Sequence, residues 1–158
     1  MNKKLFLVCP ECNVEYFIRK KYGDDVYFLT ALGAVFNFSE VKYIESIMDF
    51  ITRESITDIY VANDISCRFI KSIVEREDGF ETSCENIIRD ILIDNYSAIM
   101  HGKSLIEKKK HLAELNVNQQ IKEIKMNELF LQRIIQQNVR ITGLVLTIDE
   151  QVVRECRC

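Results

Sequence analysis

The sequence predicts an α/β protein in which helices flank a mainly parallel central sheet. Short apolar runs alternate along the chain with longer segments whose apolar residues recur at helical spacing. The first run, from Lys4 to Val8, is almost continuously apolar, as are strands buried on both faces of a parallel sheet. The chain has only one proline, five glycines and no low-complexity linker. We therefore expect a single domain that covers residues 1–158.

Each further element is assigned from the spacing of its apolar residues. Strands are short runs rich in β-branched and aromatic residues, whereas helices place apolar residues three and four positions apart. Ser39 is a candidate N-cap for one helix, and Ser104 with Glu107 forms a capping-box pattern at the start of another. Strands are predicted at residues 4–8, 25–32, 59–62, 139–148 and 151–154. Helices are predicted at residues 14–21, 39–54, 66–76, 83–100, from 104 onwards, and again from 117 toward 136. The terminal residues 156–158 are expected to be a frayed tail.

The composition is that of an ordinary globular protein and excludes several functional classes. Hydrophobic residues make up 47% of the chain, charged residues 28%, and the formal net charge is -3. That charge gives no strong attraction to nucleic acid or anionic membranes, and no apolar run reaches the roughly 18 residues that cross a bilayer. The N-terminal basic pair and short apolar run are too short for a signal peptide. We predict a cytoplasmic protein that binds neither nucleic acid nor membranes.

Two of the predicted strand ends carry candidate metal ligands. The first strand runs into Cys9-Pro10-Glu11-Cys12, a Cys-x-x-Cys pair with a spacing typical of zinc sites. The strand at residues 59–62 runs into a polar turn that holds Asp64 and Cys67, three positions apart. Ligand sites in parallel sheets form beyond the carboxyl ends of the strands. We therefore expect the two strand ends to meet at one edge of the sheet.

These side chains allow two kinds of zinc site, and the sequence leaves the choice open. Cys9, Asp64 and Cys67 would supply three ligands and leave an open fourth position, as catalytic zinc sites do. Adding Cys12 gives a closed tetrahedral set, which is typical of structural zinc. Asp64 has a second interpretation, because an aspartate just before a helix is also a common N-cap.

Five segments of the chain resemble the β-class carbonic anhydrases. Val8-Cys9-x-Glu11-x-Asn13 stands where that family has Cys-x-Asp-x-Arg after its first strand, and Val61-Ala62-Asn63-Asp64-Ile65-Ser66-Cys67 is similar to its Val-Cys-Gly-His-x-x-Cys. The other similar segments are Asp25 to Gly33, Tyr43-Ile44-Glu45, and Leu115 to Gln120 followed by Ile141 to Val145. The resemblance spans nearly the whole chain.

The resemblance implies a site that has changed. The two zinc thiolates of the family match Cys9 and Cys67, its zinc histidine matches Asp64, and its catalytic Asp–Arg pair matches Glu11 and Asn13. The resemblance also implies a zinc cofactor, a homodimer and CO2 or bicarbonate as substrate. Because the histidine and the arginine are replaced, carbonate dehydratase activity is expected to be weak, altered or lost.

Two alternatives remain beside this hypothesis of a zinc-dependent lyase. The chain can be a non-catalytic homologue, a pseudoenzyme whose metal is structural or absent. It can also be a thiol–disulfide oxidoreductase that uses Cys9 and Cys12, because a helix N-terminus lowers a thiol pKa. Against the second, thioredoxin-type folds place a cis-proline opposite such a pair, and this chain has no proline other than Pro10.

Overall fold

The computed structural model describes residues 2–156, which form a five-stranded sheet with helices against both faces. The strand order is β2-β1-β3-β4-β5. The first four strands along the chain are parallel to one another, and β5 is antiparallel to β4 at one edge. The strands are β1 (Lys3–Val8), β2 (Val26–Thr30), β3 (Ile56–Asp64), β4 (Arg140–Thr147) and β5 (Val152–Glu155). The predicted α/β class with a mainly parallel sheet is confirmed.

Seven α-helices connect and cover the strands in the described part of the chain. They are α1 (Glu15–Tyr22), α2 (Val41–Glu54), α3 (Arg68–Glu75), α4 (Ser83–Asp94), α5 (Tyr96–Met100), α6 (Leu105–Met126) and α7 (Glu128–Gln136). The Ser104 capping box is present, because the Ser104 hydroxyl accepts from the Glu107 amide and the Glu107 carboxylate accepts from the Ser104 amide. None of the helices in the described residues is long and apolar enough to cross a membrane.

Three predicted helix boundaries are wrong, each because of a local contact. Helix α6 is continuous through residue 117 and ends before Asn127, whose side chain accepts a hydrogen bond from the Phe130 amide and so starts α7. Asn95 interrupts the segment predicted as one helix at 83–100. Ser39 does not cap α2, because its hydroxyl donates to Asn37 and the helix starts at Val41.

Cys156, the first residue of the predicted frayed tail, is bonded to the sheet. The Cys156 amide donates to the Gly143 carbonyl at 2.8 Å, which extends the pairing between β5 and β4. Cys156 therefore packs against the sheet, while residues 157 and 158 of the predicted tail lie outside the described residues.

The alternation of side chains along the strands decides which residues can form a site. Leu7 and Val61 are paired in the sheet and share the apolar cluster on the face that α2, α3 and α6 cover. Val8 and Ala62 point to the opposite face, where α1 packs. Because side chains alternate with a period of two, Cys9 returns to the face of Leu7.

Candidate metal centre

Three cysteine side chains meet at the carboxyl edge of the sheet. The sulfur atoms of Cys9, Cys12 and Cys67 all lie within 4.8 Å of one another. Cys9 and Cys67 are buried and Cys12 is half-buried, and all three are free thiols. The predicted meeting of the two strand ends is therefore confirmed, and Cys12 points toward the other two sulfurs.

The first pair of sulfurs is brought together by a tight turn. Residues Pro10–Cys12 form a single 3₁₀ turn, closed by a hydrogen bond from the Cys12 amide to the Cys9 carbonyl at 3.3 Å. Pro10 suits the start of such a turn, because its fixed φ is already near the helical value and it needs no amide donor there. Asn13 ends the turn with a left-handed φ of 50°, which asparagine adopts more readily than most residues.

The third sulfur comes from the turn between β3 and α3. The Cys67 amide donates to the Asp64 carbonyl at 3.0 Å, which folds the chain back at the end of β3. Cys67 then occupies the N-cap position of α3, so its thiol lies at the positive end of that helix. A partial positive charge at this place favours thiolate at the cluster.

A loop after β2 covers the cluster and is held from behind by helix α6. The Gly33 amide donates to the sulfur of Cys9 at 3.2 Å. The Gly33 carbonyl accepts from the side-chain amide of Asn116 at 2.9 Å, and the Phe36 amide donates to the side-chain carbonyl of Gln120 at 2.9 Å. Asn116 and Gln120 are fully buried, so helix α6 fixes the loop and the loop fixes Cys9.

Proton sharing within the cluster separates the pKa values of its thiols. Hydrogen bonds from Cys12 and Cys67, with smaller contributions from backbone amides that include Gly33, hold the pKa of Cys9 well below its ordinary value. The hydrogen bonds with Cys67 and Cys9, together with burial, raise the pKa of Cys12. For Cys67, the hydrogen bond with Cys12 lowers the pKa. The hydrogen bond of Cys67 with Cys9 and the burial of Cys67 outweigh that effect, so the pKa of Cys67 is raised. Among the three thiols, Cys9 is therefore the one that loses its proton most readily.

Asp64, the fourth predicted ligand, is not part of the group of three sulfurs. One oxygen of its carboxylate accepts from the amide and hydroxyl of Ser66, and the other accepts from the Ile148 amide at 3.1 Å. The bond to the Ser66 amide is an Asx turn, in which the side chain mimics a backbone turn. Both oxygens are thus committed to fixing the β3–α3 turn and the end of β4, in a buried position.

The two predicted catalytic residues belong to the turn that carries Cys12, and both are exposed. Glu11 belongs to the 3₁₀ turn, and its side chain is 43% exposed. The Arg68 guanidinium lies 3.9 Å from a Glu11 carboxylate oxygen and 5.2 Å from the centre of the Phe80 ring. Asn13 is exposed. The sequence comparison gives Glu11 no arginine partner, whereas the structure supplies one from the start of α3.

Sequence reasoning missed other contributors to the site. Arg68 carries no prediction in the sequence, and Gly33 and Asn63 appear there only within segments that are similar to family motifs. A hint lies in the segment from Leu115 to Gln120, which is similar to a family motif although it is distant from both strand ends. The structure explains that similarity, because Asn116 and Gln120 hold the loop that covers Cys9.

The three sulfurs fit a zinc ion. Zinc binds thiolate sulfur at about 2.3 Å, so two sulfurs of a tetrahedral site lie about 3.8 Å apart. The 4.8 Å limit on the distances within the cluster is compatible with that separation after small side-chain adjustments. Soft thiolate ligands also favour zinc and Cu(I) over hard cations. Cys9, Cys12 and Cys67 would hold the metal, and a fourth position would remain for another ligand.

Comparisons with known proteins identify the fold through structure alone. Neither the protein-family models nor the curated proteins match this sequence. Among solved structures, a tetrameric β-carbonic anhydrase from Sordaria macrospora is 15% identical and has a TM-score of 0.81, with 99% of this chain and 81% of that chain covered. The β-carbonic anhydrase CafD of Aspergillus fumigatus is 14% identical with a TM-score of 0.81, over 99% of this chain and 90% of that one.

A third similar solved structure is also a β-carbonic anhydrase. The Coccomyxa β-carbonic anhydrase, determined in complex with acetazolamide, is 18% identical and has a TM-score of 0.76 over 98% of this chain and 71% of that chain. At these identities the likeness concerns the arrangement of the elements. The match extends over nearly the full length of this chain, and this protein has the fold of the β-carbonic anhydrases.

Proposed function

We propose that this chain is a zinc-binding protein with the β-carbonic anhydrase fold, in which CO2 hydration is weak or lost. The observation that carries the proposal is the group of three sulfurs within 4.8 Å of one another at the carboxyl edge of the sheet. Two of the sulfurs, on Cys9 and Cys67, stand at positions that the resemblance assigns to zinc. The third sulfur, on Cys12, would replace the family's histidine as a zinc ligand, although the position of that histidine matches Asp64.

The charge of this ligand set argues for weak hydration chemistry. When bound in a catalytic site, zinc lowers the pKa of its bound water to about 7. Three thiolates bring three negative charges to a metal with two positive ones, whereas two thiolates and an imidazole bring only two. The group contains no histidine among the described residues, so the metal would be less electron-poor than in a Cys2His site.

We further propose that Glu11, oriented by Arg68, is the carboxylate that faces the centre, with Asn13 in the position of the family's arginine. The separation of 3.9 Å between Arg68 and Glu11 and the exposure of both side chains support only a weak orientation. Exposed ion pairs of this kind contribute about 0–1 kcal/mol. A loosely held carboxylate is a second reason to expect little hydration activity.

Elemental analysis together with a CO2 hydration assay tests the proposal. Protein purified without chelator should contain one zinc per chain, and Cys67→Ser should lose most of it. Cys84→Ser is the matched control, because Cys84 is also a buried free thiol but lies outside the three-sulfur group. Wild-type protein without zinc would contradict the metal assignment. Stopped-flow hydration as fast as that of an active β-carbonic anhydrase measured alongside would contradict the weak activity.

The lowered pKa of Cys9 favours a second candidate function, thiol–disulfide exchange. A thiolate at Cys9 beside the Cys12 thiol has the ingredients of exchange chemistry. The low accessibility of Cys9, which is 1% exposed, argues against attack on a large disulfide substrate. An exchange assay with metal-free protein decides this, and equal rates for wild type and Cys12→Ser would eliminate the candidate.

We also propose a cytoplasmic homodimer. Free thiols at Cys9, Cys12, Cys67 and Cys84 suit a reducing compartment. Ile87 of α4 and Met126 of α6 are exposed apolar side chains that line a cavity of about 610 Å³. Their exposure supports contact with a second copy of the chain at this surface. Size-exclusion chromatography with light scattering tests the dimer, and a monomer at micromolar concentration would contradict it.

A further inference from the structure

One buried side chain beside the cysteine cluster has no hydrogen-bond partner. Asn63 is 1% exposed, and neither its side-chain nitrogen nor its side-chain oxygen has a partner among the described residues. Asn116 and Gln120 are equally buried, but each has one amide atom in a hydrogen bond with the loop above Cys9. Asn63 is therefore the exceptional case among these three amides.

The sheet places this side chain at the level of the cluster. Leu7 of β1 is paired with Val61 of β3, and both face the cluster side of the sheet. Two positions beyond Leu7 and Val61 stand Cys9, directly after the end of β1, and Asn63 in β3, both on that same face because side chains alternate with a period of two. Neighbouring strands lie about 4.8 Å apart, so the register of β1 and β3 places these two positions side by side at the sheet edge.

The strand neighbour of Asn63 on the other side cannot satisfy its side chain. On the opposite side, Asn63 is paired with Val145, which is buried and apolar. Burying an amide without hydrogen bonds is unfavourable, and native proteins nearly always supply a partner for such a group. A partner from outside the chain explains the arrangement, and the three sulfurs provide the place where such a partner would be bound.

We propose that the Asn63 carboxamide forms hydrogen bonds with a small polar ligand from solvent that takes the fourth coordination position of a metal held by Cys9, Cys12 and Cys67. The inference rests on the proposed zinc site and adds a ligand-positioning residue to it. The carboxamide offers one donor and one acceptor group, so it suits water and small anions with a nitrogen or oxygen donor. The Asp64 carboxylate next to it cannot take this role, because both of its oxygens are already engaged.

Cobalt spectroscopy tests this role without reference to activity. Wild-type protein, Asn63→Ala and Asn63→Leu would be loaded with Co(II) and titrated with sodium azide. The leucine variant keeps a similar side-chain volume, so it serves if the smaller alanine loosens the fold. Asn95→Ala is the control, because Asn95 is a partly buried asparagine whose side chain bonds within α4, away from the sheet edge.

The expected result distinguishes the role of Asn63 from that of the three cysteine ligands. All four proteins should bind one Co(II) per chain with the same sulfur-to-metal charge-transfer intensity, because the three sulfurs are unchanged. Both Asn63 variants should show altered d–d bands and at least a tenfold weaker affinity for azide, while Asn95→Ala matches the wild type. Unchanged bands and azide affinities within twofold of the wild type in both Asn63 variants would overturn the role of Asn63 alone. Failure of the wild type to bind Co(II) would overturn the metal site and this inference together.

Discussion

Gly33 gives the most specific test of how the loop supports the cluster. Its φ of 65° lies in the left-handed region, and its amide donates to the sulfur of Cys9. A Cβ at this position would lie 2.9 Å from the terminal methyl group of Ile88 and 3.5 Å from the sulfur of Cys84. Gly33→Ala therefore strains the backbone and displaces one flexible side chain.

The expected loss of stability is the sum of the backbone strain and the cost of displacing Ile88. An L-residue in the left-handed region costs roughly 1–2 kcal/mol, and moving Ile88 off its preferred rotamer costs about 1 kcal/mol more. We expect Gly33→Ala to lower the unfolding free energy of the metal-free protein by about 2–3 kcal/mol, measured by urea denaturation. Because the Gly33 amide also supports Cys9, zinc affinity measured by chelator competition should fall about 10-fold or more.

Gly102→Ala is the matched control for backbone strain. Gly102 has nearly the same φ, 66°, but nothing lies within 4 Å of the position its Cβ would take. We expect a loss of roughly 1–2 kcal/mol in this variant with no change in zinc affinity. Equal effects of the two substitutions on both stability and zinc affinity would refute the supporting role of the Gly33 loop.

Three further predictions concern the cluster and the sheet edge. Metal-free protein at about pH 6 should show the ultraviolet absorbance of one thiolate, since the pKa of Cys9 is lowered while free thiols titrate near pH 8.5. Cys9→Ser should abolish this absorbance. An unchanged signal in that variant would contradict the assignment of the thiolate to Cys9. Asp64→Ala should lower the unfolding free energy by about 3 kcal/mol, because the Ile148 amide and the β3–α3 turn lose a charged acceptor, yet it should retain one zinc per chain. Loss of zinc at unchanged stability would instead make Asp64 a ligand. Gly143→Ala should lower the unfolding free energy by roughly 1–3 kcal/mol by overpacking, because its Cβ would lie 2.7 Å from a methyl group of Val117; stability equal to wild type would show that α6 can shift there.

The sequence was sufficient to predict the edge of the sheet where the candidate site forms. Apolar runs define β1 and β3, and the parallel arrangement places the turns at their carboxyl ends on one edge. The convergence of Cys9 with Cys67 results from that topology, although 58 positions separate them along the chain. The Cys-x-x-Cys spacing then places Cys12 beside Cys9, because a single turn separates the two residues.

The remaining features depend on contacts that no spacing rule reveals. An aspartate after a strand has the same sequence appearance whether it binds metal or closes a turn, and only the positions of Ser66 and Ile148 distinguish the two for Asp64. Arg68 pairs with Glu11 across two turns that are distant in sequence. The lack of a partner for Asn63 depends on its neighbours across the sheet, so it cannot be recognised before the register is known.

X-ray absorption at the zinc edge counts the sulfur ligands of the metal. We predict a first coordination sphere of three sulfur atoms at about 2.3 Å and one lighter atom near 2.0–2.2 Å. In Cys12→Ser the sulfur count should fall to two, because Cys12 contributes one of the three sulfurs of the cluster. A wild-type spectrum with two sulfurs and two lighter atoms would show that Cys12 does not bind the metal and would contradict the account.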